Sequence, residues 1–434
     1  MNKVAFVTLG CKTNQYETDA LMDLFYKNRY EIVDFDDFAD VYVINTCTVT
    51  NVSDKKSRQM IRRAKKSNPD GTVVVLGCYA QISPDEVSAI EGVDVVIGTD
   101  SRSNVIHYIE QYRAGITDKP YVVVEDIMKI TNFEEMTVSS ITTHTRAFIK
   151  IQEGCNQYCS YCIIPYARGQ VRSRTPENIL SEINALTEKG YMEFVLTGIH
   201  IGSYGLDFDD IRLIDLLERI HAIEGVKRIR LGSIEPRLIN DTFIKRIRPL
   251  TKLCDHFHLS LQSGSDTVLK RMNRKYTANE YFEAVQKLKD LYGSPSITTD
   301  IIVGFPGESD SEFEETFAFV EKIGFSEIHV FPFSKREGTP AATMKDQVDP
   351  SVKKARSERL ITLGKKQQLQ YINCFIDENA EIIIEERKGN EYSGHTMNYL
   401  KLSLILEGKT LSQGSLQNVK IQSYDGEKII ATCV

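Results

Sequence analysis

Short β-branched runs alternate with amphipathic stretches along most of this chain, and that alternation restricts its fold more than any other feature. Strands are expected at 4–9, 41–45, 72–76, 93–97 and 121–124, with helices between them. One helix start is marked by Ser83 as cap and Pro84 at the first helical position. Successive βαβ units force the strands parallel, so the first 125 residues read as a doubly wound sheet covered on both faces. Periodicity is lost over 126–145, where Thr and Ser gather at 137–145 around His144, and a linker is placed there. Strand signals return at 146–151, 193–199, 227–231, 256–261, 297–303 and 327–333, with helices at 176–187 and 313–322. Six βα units are too few for a closed eight-stranded barrel. A helix over 350–376 follows. The strands at 381–385, 399–406, 419–421 and 428–433 then suggest a small OB-like antiparallel barrel over 366–434.

Parallel strands end on one common edge, and chemistry collects there. Cys155, Cys159 and Cys162 follow the first strand of the central unit at C-x3-C-x2-C spacing, close enough to converge on one metal centre and unlike the paired knuckles of a zinc ribbon. A cubane iron–sulfur cluster has four irons, so three thiolates leave one iron open for a substrate or cofactor. Cys11, Cys47 and Cys78 each follow a predicted strand of the first domain, so three cysteines distant in sequence can meet at its edge and hold a second open-iron cluster. Cys254, Cys374 and Cys433 have no partners at ligand spacing and read as packing residues.

The central motif, with Tyr161 before its last cysteine, resembles the cluster loop of the radical S-adenosylmethionine enzymes. Together with Cys11, Cys47 and Cys78, it makes nearly the whole chain similar to the methylthiotransferases, radical enzymes that insert sulfur into an unactivated C–H bond and methylate it. The stretch from Thr8 to Thr18, with Gly-Cys-Lys-Thr-Asn at its centre, is most like the branch acting on N6-threonylcarbamoyladenosine at position 37 of tRNA. The isopentenyladenosine branch usually has Gly-Cys-Gln-Met-Asn here, and the ribosomal-protein branch Gly-Cys-Pro-Lys-Asn. These siblings, and a non-catalytic iron–sulfur RNA-binding sensor, are the alternative readings.

The resemblance implies a central six-unit open barrel over 146–365 and, around Gly394–Tyr399, an RNA-binding barrel known as the TRAM domain. It also implies two 4Fe–4S clusters and S-adenosylmethionine. On that resemblance, a radical made at Cys155, Cys159 and Cys162 would take hydrogen from adenine C2, sulfur carried at Cys11, Cys47 and Cys78 would replace it, and a second S-adenosylmethionine would provide the methyl group. The S-adenosylmethionine is expected on the barrel rim at Thr197, Gly198, Glu235, Gln262 and Gly304, beside Tyr161. Arg274 is a candidate for its carboxylate or for a phosphate.

A net charge of −7 argues against a chain basic all over, so contact with the tRNA anticodon loop must come from local patches. One is the helix after Cys47, where Lys55, Lys56, Arg58, Arg62, Arg63, Lys65 and Lys66 form either a solvated face or a phosphate-binding stripe. Arg168, Arg172 and Arg174 are either solvated or set to meet phosphates and a flipped base. Tyr399, with Tyr392 and His395, either stacks on bases or packs the last barrel. That barrel is not basic, since residues 371–434 hold six Lys or Arg against nine Asp or Glu. With no apolar run near the roughly 18 residues of a membrane span and no signal-peptide pattern, the expectation is a cytoplasmic monomer served by an electron donor of unknown identity.

Overall fold

The computed structural model describes residues 2–48, 51–138, 145–406 and 410–434, with the side chains of residues 51 and 52 set aside. Strands β1 (Lys3–Thr8), β2 (Glu31–Val33), β3 (Val41–Thr46), β4 (Thr72–Gly77), β5 (Val95–Ile97) and β6 (Tyr121–Val123) form one parallel sheet in the order β2-β1-β3-β4-β5-β6. Strict alternation explains its two covered faces. Val41, Val43, Val74 and Leu76 pack into one core, and Tyr42, Ile44, Val73 and Val75 into the other. The strand order reverses between β1 and β3, the place where open sheets of this kind form their crevice. Strand β2, three residues long, has no counterpart in the sequence reading.

The second unit has six parallel strands: β7 (Ala147–Glu153), β9 (Glu193–Gly198), β10 (Arg228–Leu231), β11 (His256–His258), β12 (Ser296–Val303) and β13 (Glu327–Pro332). The two-residue β8 (Arg172–Ser173) runs antiparallel to β7. Parallel bridges from Ile229 to Leu253 and from Ile234 to Leu259 join the two sheet segments across β10 and β11. Phe194, Leu196, Ile229, Leu231, Phe257, Ile297 and Ile301 face the outer helices and form the largest core. The intervening positions, Glu193, Arg228, Arg230, His256, His258, Thr298 and Asp300, turn the other way and contact one another across the interior. A barrel interior is normally filled with branched apolar residues. This one is polar, which suits a binding chamber.

The helix Pro350–Asn373, capped by Asp349, lies against β13, where Gly364 leaves room for Ile328. Strands β14 (Asn379–Lys388), β15 (Glu391–His395), β16 (Lys401–Ile405), β17 (Leu416–Tyr424) and β18 (Ile429–Cys433) then close a five-stranded barrel. This barrel docks beneath the polar interior. Arg228 donates to the carbonyls of His395 and Glu381, and Arg230 to those of Thr396 and Met397.

The segment expected as a linker is packed over 126–138. Its Met136 carbonyl accepts from the Tyr16 hydroxyl at 2.6 Å, Val138 N donates to Glu182 at 2.8 Å, and Glu134 pairs with Arg102 at 2.8 Å. His144 lies outside the described residues.

Candidate active site

The loop after β7 carries the first triad. Gly154 turns it at φ +72°, and a Cβ there would lie 1.8 Å from the Gln170 carbonyl oxygen, so glycine is required. Cys155 N donates to Gly169 O at 3.0 Å, Ser160 N to Met272 O at 3.0 Å, and Asn273 to Tyr158 O at 2.8 Å. The loop is thereby fastened to the segment 271–274. Arg274 extends from that segment with Nη1 3.2 Å from the Cys159 sulfur and Nη2 3.1 Å from Glu235, while its Nε donates to the Tyr276 hydroxyl. Burial pushes the Cys155 thiol up to about 11 and the Cys162 thiol up to about 12. A metal that takes the thiolate must overcome that cost, and the Arg274 cation offsets part of it.

The second triad gathers at the edge of the amino-terminal sheet. Cys11 and Cys47 follow β1 and β3 at the strand-order reversal, and Cys78 directly follows β4. Gly10, at φ +118°, brings the chain so close to Cys47 that a Cβ would meet the Cys47 Cβ at 2.8 Å and its sulfur at 3.2 Å. Asn14 lies 3.6 Å from the Cys11 sulfur, and its Oδ1 accepts from Arg168 Nη2 at 2.7 Å. Arg168 Nε in turn donates to the Cys78 sulfur at 3.0 Å. Burial pushes the Cys78 thiol up to about 12, and Arg168 pulls it back. Among the described residues, neither triad brings its three sulfurs within 4.8 Å of one another. A tetrahedral zinc with bonds of about 2.3 Å would hold its sulfurs at about 3.8 Å, so neither triad is set for a single tetrahedral ion.

Arg168, Arg172 and Arg174 depart from the expected RNA contact. All three are buried, Arg168 and Arg174 completely. Arg168 is bonded to Glu17 at 2.5 Å and Glu153 at 3.2 Å. Arg172 reaches the carbonyls of Ile130 and Gln170, and Arg174 is held by Glu182, Glu135 and Tyr16. Arg102 and Lys150 join Arg168, Glu17 and Glu153 in one buried charge network across the junction of the first two units. Burial alone would raise the pKa of Glu17, but Arg102, Arg168 and Lys150 hold it well below the usual carboxylate range. Such charges persist in a dry interior only when paired. Sequence reading passed over this network. Its one signal is Lys150, a charge in the middle of an apolar strand.

Tyr399 also departs from the base-stacking expectation. Its ring is stacked between His256 and His395, each at 4.5 Å centroid distance, so both faces are covered. Tyr392 is buried in the core of the last barrel. On the helix Asn51–Ser67, Arg58 is tied to Tyr79 and Glu86, Lys65 to Asp94, and Arg63 to Asp36. Lys55, Lys56, Arg62 and Lys66 stand exposed.

The rim residues divide. Glu235 is buried between Arg274 and His200. Gln262, at φ +67°, lines a cavity of about 280 Å³ with Tyr161, Cys162, Asp300, Ile302 and Phe333, next to the first triad. Thr197 and Gly198 face elsewhere: the Thr197 hydroxyl lies 3.4 Å from that of Thr13, and Gly198 packs under the Gln152 carbonyl. Gly304 N is occupied by Glu308 at 2.9 Å.

Residues 149–320 match the radical SAM superfamily, and residues 3–98 match uncharacterized protein family UPF0004. The structure of TsrM, a radical S-adenosylmethionine methyltransferase from Kitasatospora setae with cobalamin and a 4Fe–4S cluster bound, is similar at TM-score 0.59 and 13% identity. That likeness covers 79% of this chain and 74% of that one, and it is one of fold alone. The fold and the matched domain are those of a radical S-adenosylmethionine enzyme, a class that works with a 4Fe–4S cluster and S-adenosylmethionine.

Threonylcarbamoyladenosine tRNA methylthiotransferase MtaB of Bacillus subtilis is 49% identical over 97% of this chain and 94% of its own length. The protein of that name from Thermotoga maritima is 36% identical over 99% and 97%. The tRNA-2-methylthio-N(6)-dimethylallyladenosine synthase of Thermoanaerobacter pseudethanolicus is also 36% identical, over 95% and 89%. The chain belongs to the radical SAM methylthiotransferase family, in the MtaB branch, and is a transferase. Among the described residues no helix is long and apolar enough to cross a membrane.

Proposed function

We propose that this protein methylthiolates C2 of N6-threonylcarbamoyladenosine at position 37 of tRNA, in the cytoplasm. The observation that carries the reading is the reach of Arg168, which stands at the end of the first triad's loop and donates to a sulfur of the second. Two cysteine sets brought to one junction, where Arg168 donates to Cys78 and the next residue's carbonyl accepts from Cys155 N, suit a reaction that needs a radical and a sulfur donor at the same carbon. The threonylcarbamoyl substrate is supported by relatives of that name matched over 97% and 89% of this chain.

Cys155, Cys159 and Cys162 would hold one 4Fe–4S cluster, and Cys11, Cys47 and Cys78 the other. With S-adenosylmethionine and an external one-electron donor, these groups supply the radical that breaks the C–H bond and the sulfur that replaces hydrogen. The chain's own residues bind, orient and exclude water. Arg274 and Arg168 give N–H bonds to thiolate sulfur. Gln262 and Asp300 offer polar contacts in the cavity beside Cys162, and Ile302 and Phe333 provide its apolar wall. The exposed Lys55, Lys56, Arg62 and Lys66 give anticodon-loop phosphates a stripe beside Cys47. The last barrel acts as a TRAM domain that orients the tRNA more than it binds it, and the enzyme works as a monomer.

Mass spectrometry of tRNA nucleosides from a deletion strain tests this. The methylthio form of threonylcarbamoyladenosine should disappear, and its unmethylthiolated precursor should accumulate. Loss of methylthio-isopentenyladenosine instead would move the substrate to the sibling branch.

A further inference from the structure

Lys12 directly follows Cys11 and opens the helix Lys12–Lys27. Its side chain is open to solvent, and its ammonium comes within 5.9 Å of the ring centroid of Tyr399, a residue that lies against the polar interior of the central barrel. Two other cations approach the same ring, Arg230 at 4.8 Å and Arg146 at 5.4 Å. Both have partners. Arg230 donates to Glu193 at 2.7 Å and to two backbone carbonyls, and Arg146 pairs with Glu385 at 3.2 Å. Among the described residues Lys12 has neither a hydrogen bond nor an ion pair. An unpaired ammonium beside a metal-binding triad is suited to receive an anion from the ligand.

The chemistry of the substrate says which anion. In adenine, N1 alone separates C2 from C6, so a substituent on N6 lies beside the carbon that reacts. If C2 is held against the Cys11 triad, the N6 group comes within reach of the residue next to Cys11. A threonylcarbamoyl group ends in a carboxylate.

We propose that Lys12 recognises the carboxylate of the threonylcarbamoyl group and so selects this nucleoside. The inference rests on N6-threonylcarbamoyladenosine being the substrate. A backbone phosphate could supply the same charge, and the test separates the two sources.

Anticodon stem-loop RNAs are made with N6-threonylcarbamoyladenosine or with its carboxamide analogue, which keeps the shape and removes the charge. Binding by fluorescence anisotropy and turnover are measured for the reconstituted full-length enzyme. The wild type should favour the carboxylate on the order of 10- to 100-fold. Lys12→Met should abolish the preference, and Lys12→Arg should retain it. The preference is a ratio within one protein, so partial loss of cluster loading cancels. No preference in the wild type, an unchanged preference in Lys12→Met, or equal weakening of both RNAs, as a phosphate contact would give, overturns the proposal. A wild type that ignores threonylcarbamoyl RNA but methylthiolates isopentenyl RNA overturns the substrate reading instead.

Discussion

Arg168 Nε stands 3.0 Å from the Cys78 sulfur, and the same guanidinium is bonded to Glu17 and Glu153. One buried side chain therefore serves the second triad and neutralises carboxylates from both units it joins. Arg168→Met should cost about 3–5 kcal/mol in urea unfolding, because it strands buried charge. Arg168→Lys keeps the charge but not the fork of donors, and should recover only part of the loss.

The two triads should fail separately. Cys159→Ala should abolish reductive formation of 5′-deoxyadenosine, whereas Cys11→Ala should leave it and stop thiolation. Each variant should lose about four irons by elemental analysis, one cubane's worth. Both activities intact in either variant would remove the assignment.

Gly154→Ala tests the turn that begins the first triad's loop. The added Cβ would lie 1.8 Å from a backbone oxygen at a positive φ, so the loop must shift. Iron retention at that triad should fall sharply and thermal stability by about 1–3 kcal/mol, while a control at the open Gly190 should have little effect on iron.

Burial, followed by the nearby Arg230 and Lys12 cations, holds the His256 imidazole well below its ordinary value. The unfolded chain then binds a proton near pH 6.5 that the native state refuses. Stability should therefore decline as pH falls below 6.5, with His256 contributing up to about 1.4 kcal/mol per pH unit. His256→Phe should flatten that slope in denaturation curves taken at pH 7.5, 6.5 and 5.5. A slope as steep as the wild type's would show that the ring titrates freely.

With both faces of Tyr399 covered by histidines, Tyr399→Ala should act on docking more than on RNA. It should lower stability by about 3 kcal/mol and leave tRNA affinity within about two-fold, measured by filter binding.

Periodicity made the fold legible because burial acts on one residue type at a time. Apolar runs at β3 and β4, separated by amphipathic stretches, announced a sheet covered on both faces, and the six barrel strands overlap the segments expected for them from 146–151 to 327–333. The cysteines were legible because a parallel sheet sends every strand end to one edge. Arg168 and Tyr399 were not. Whether a charge or a ring faces water depends on which distant element covers it, and neither Glu17, 151 residues from Arg168, nor His256 is local to the residue it engages. Glu31–Val33 escaped because three residues are too few to show a period.

The Tyr399 stack also bears on when the reaction chamber becomes complete. The floor of the central barrel is furnished by residues that follow the barrel by some sixty positions, so it stays open until the last barrel has been synthesised and has folded. A nascent chain still on the ribosome would have all six cysteines in place and no floor beneath them, so the fold makes a complete chamber a property of the folded last barrel.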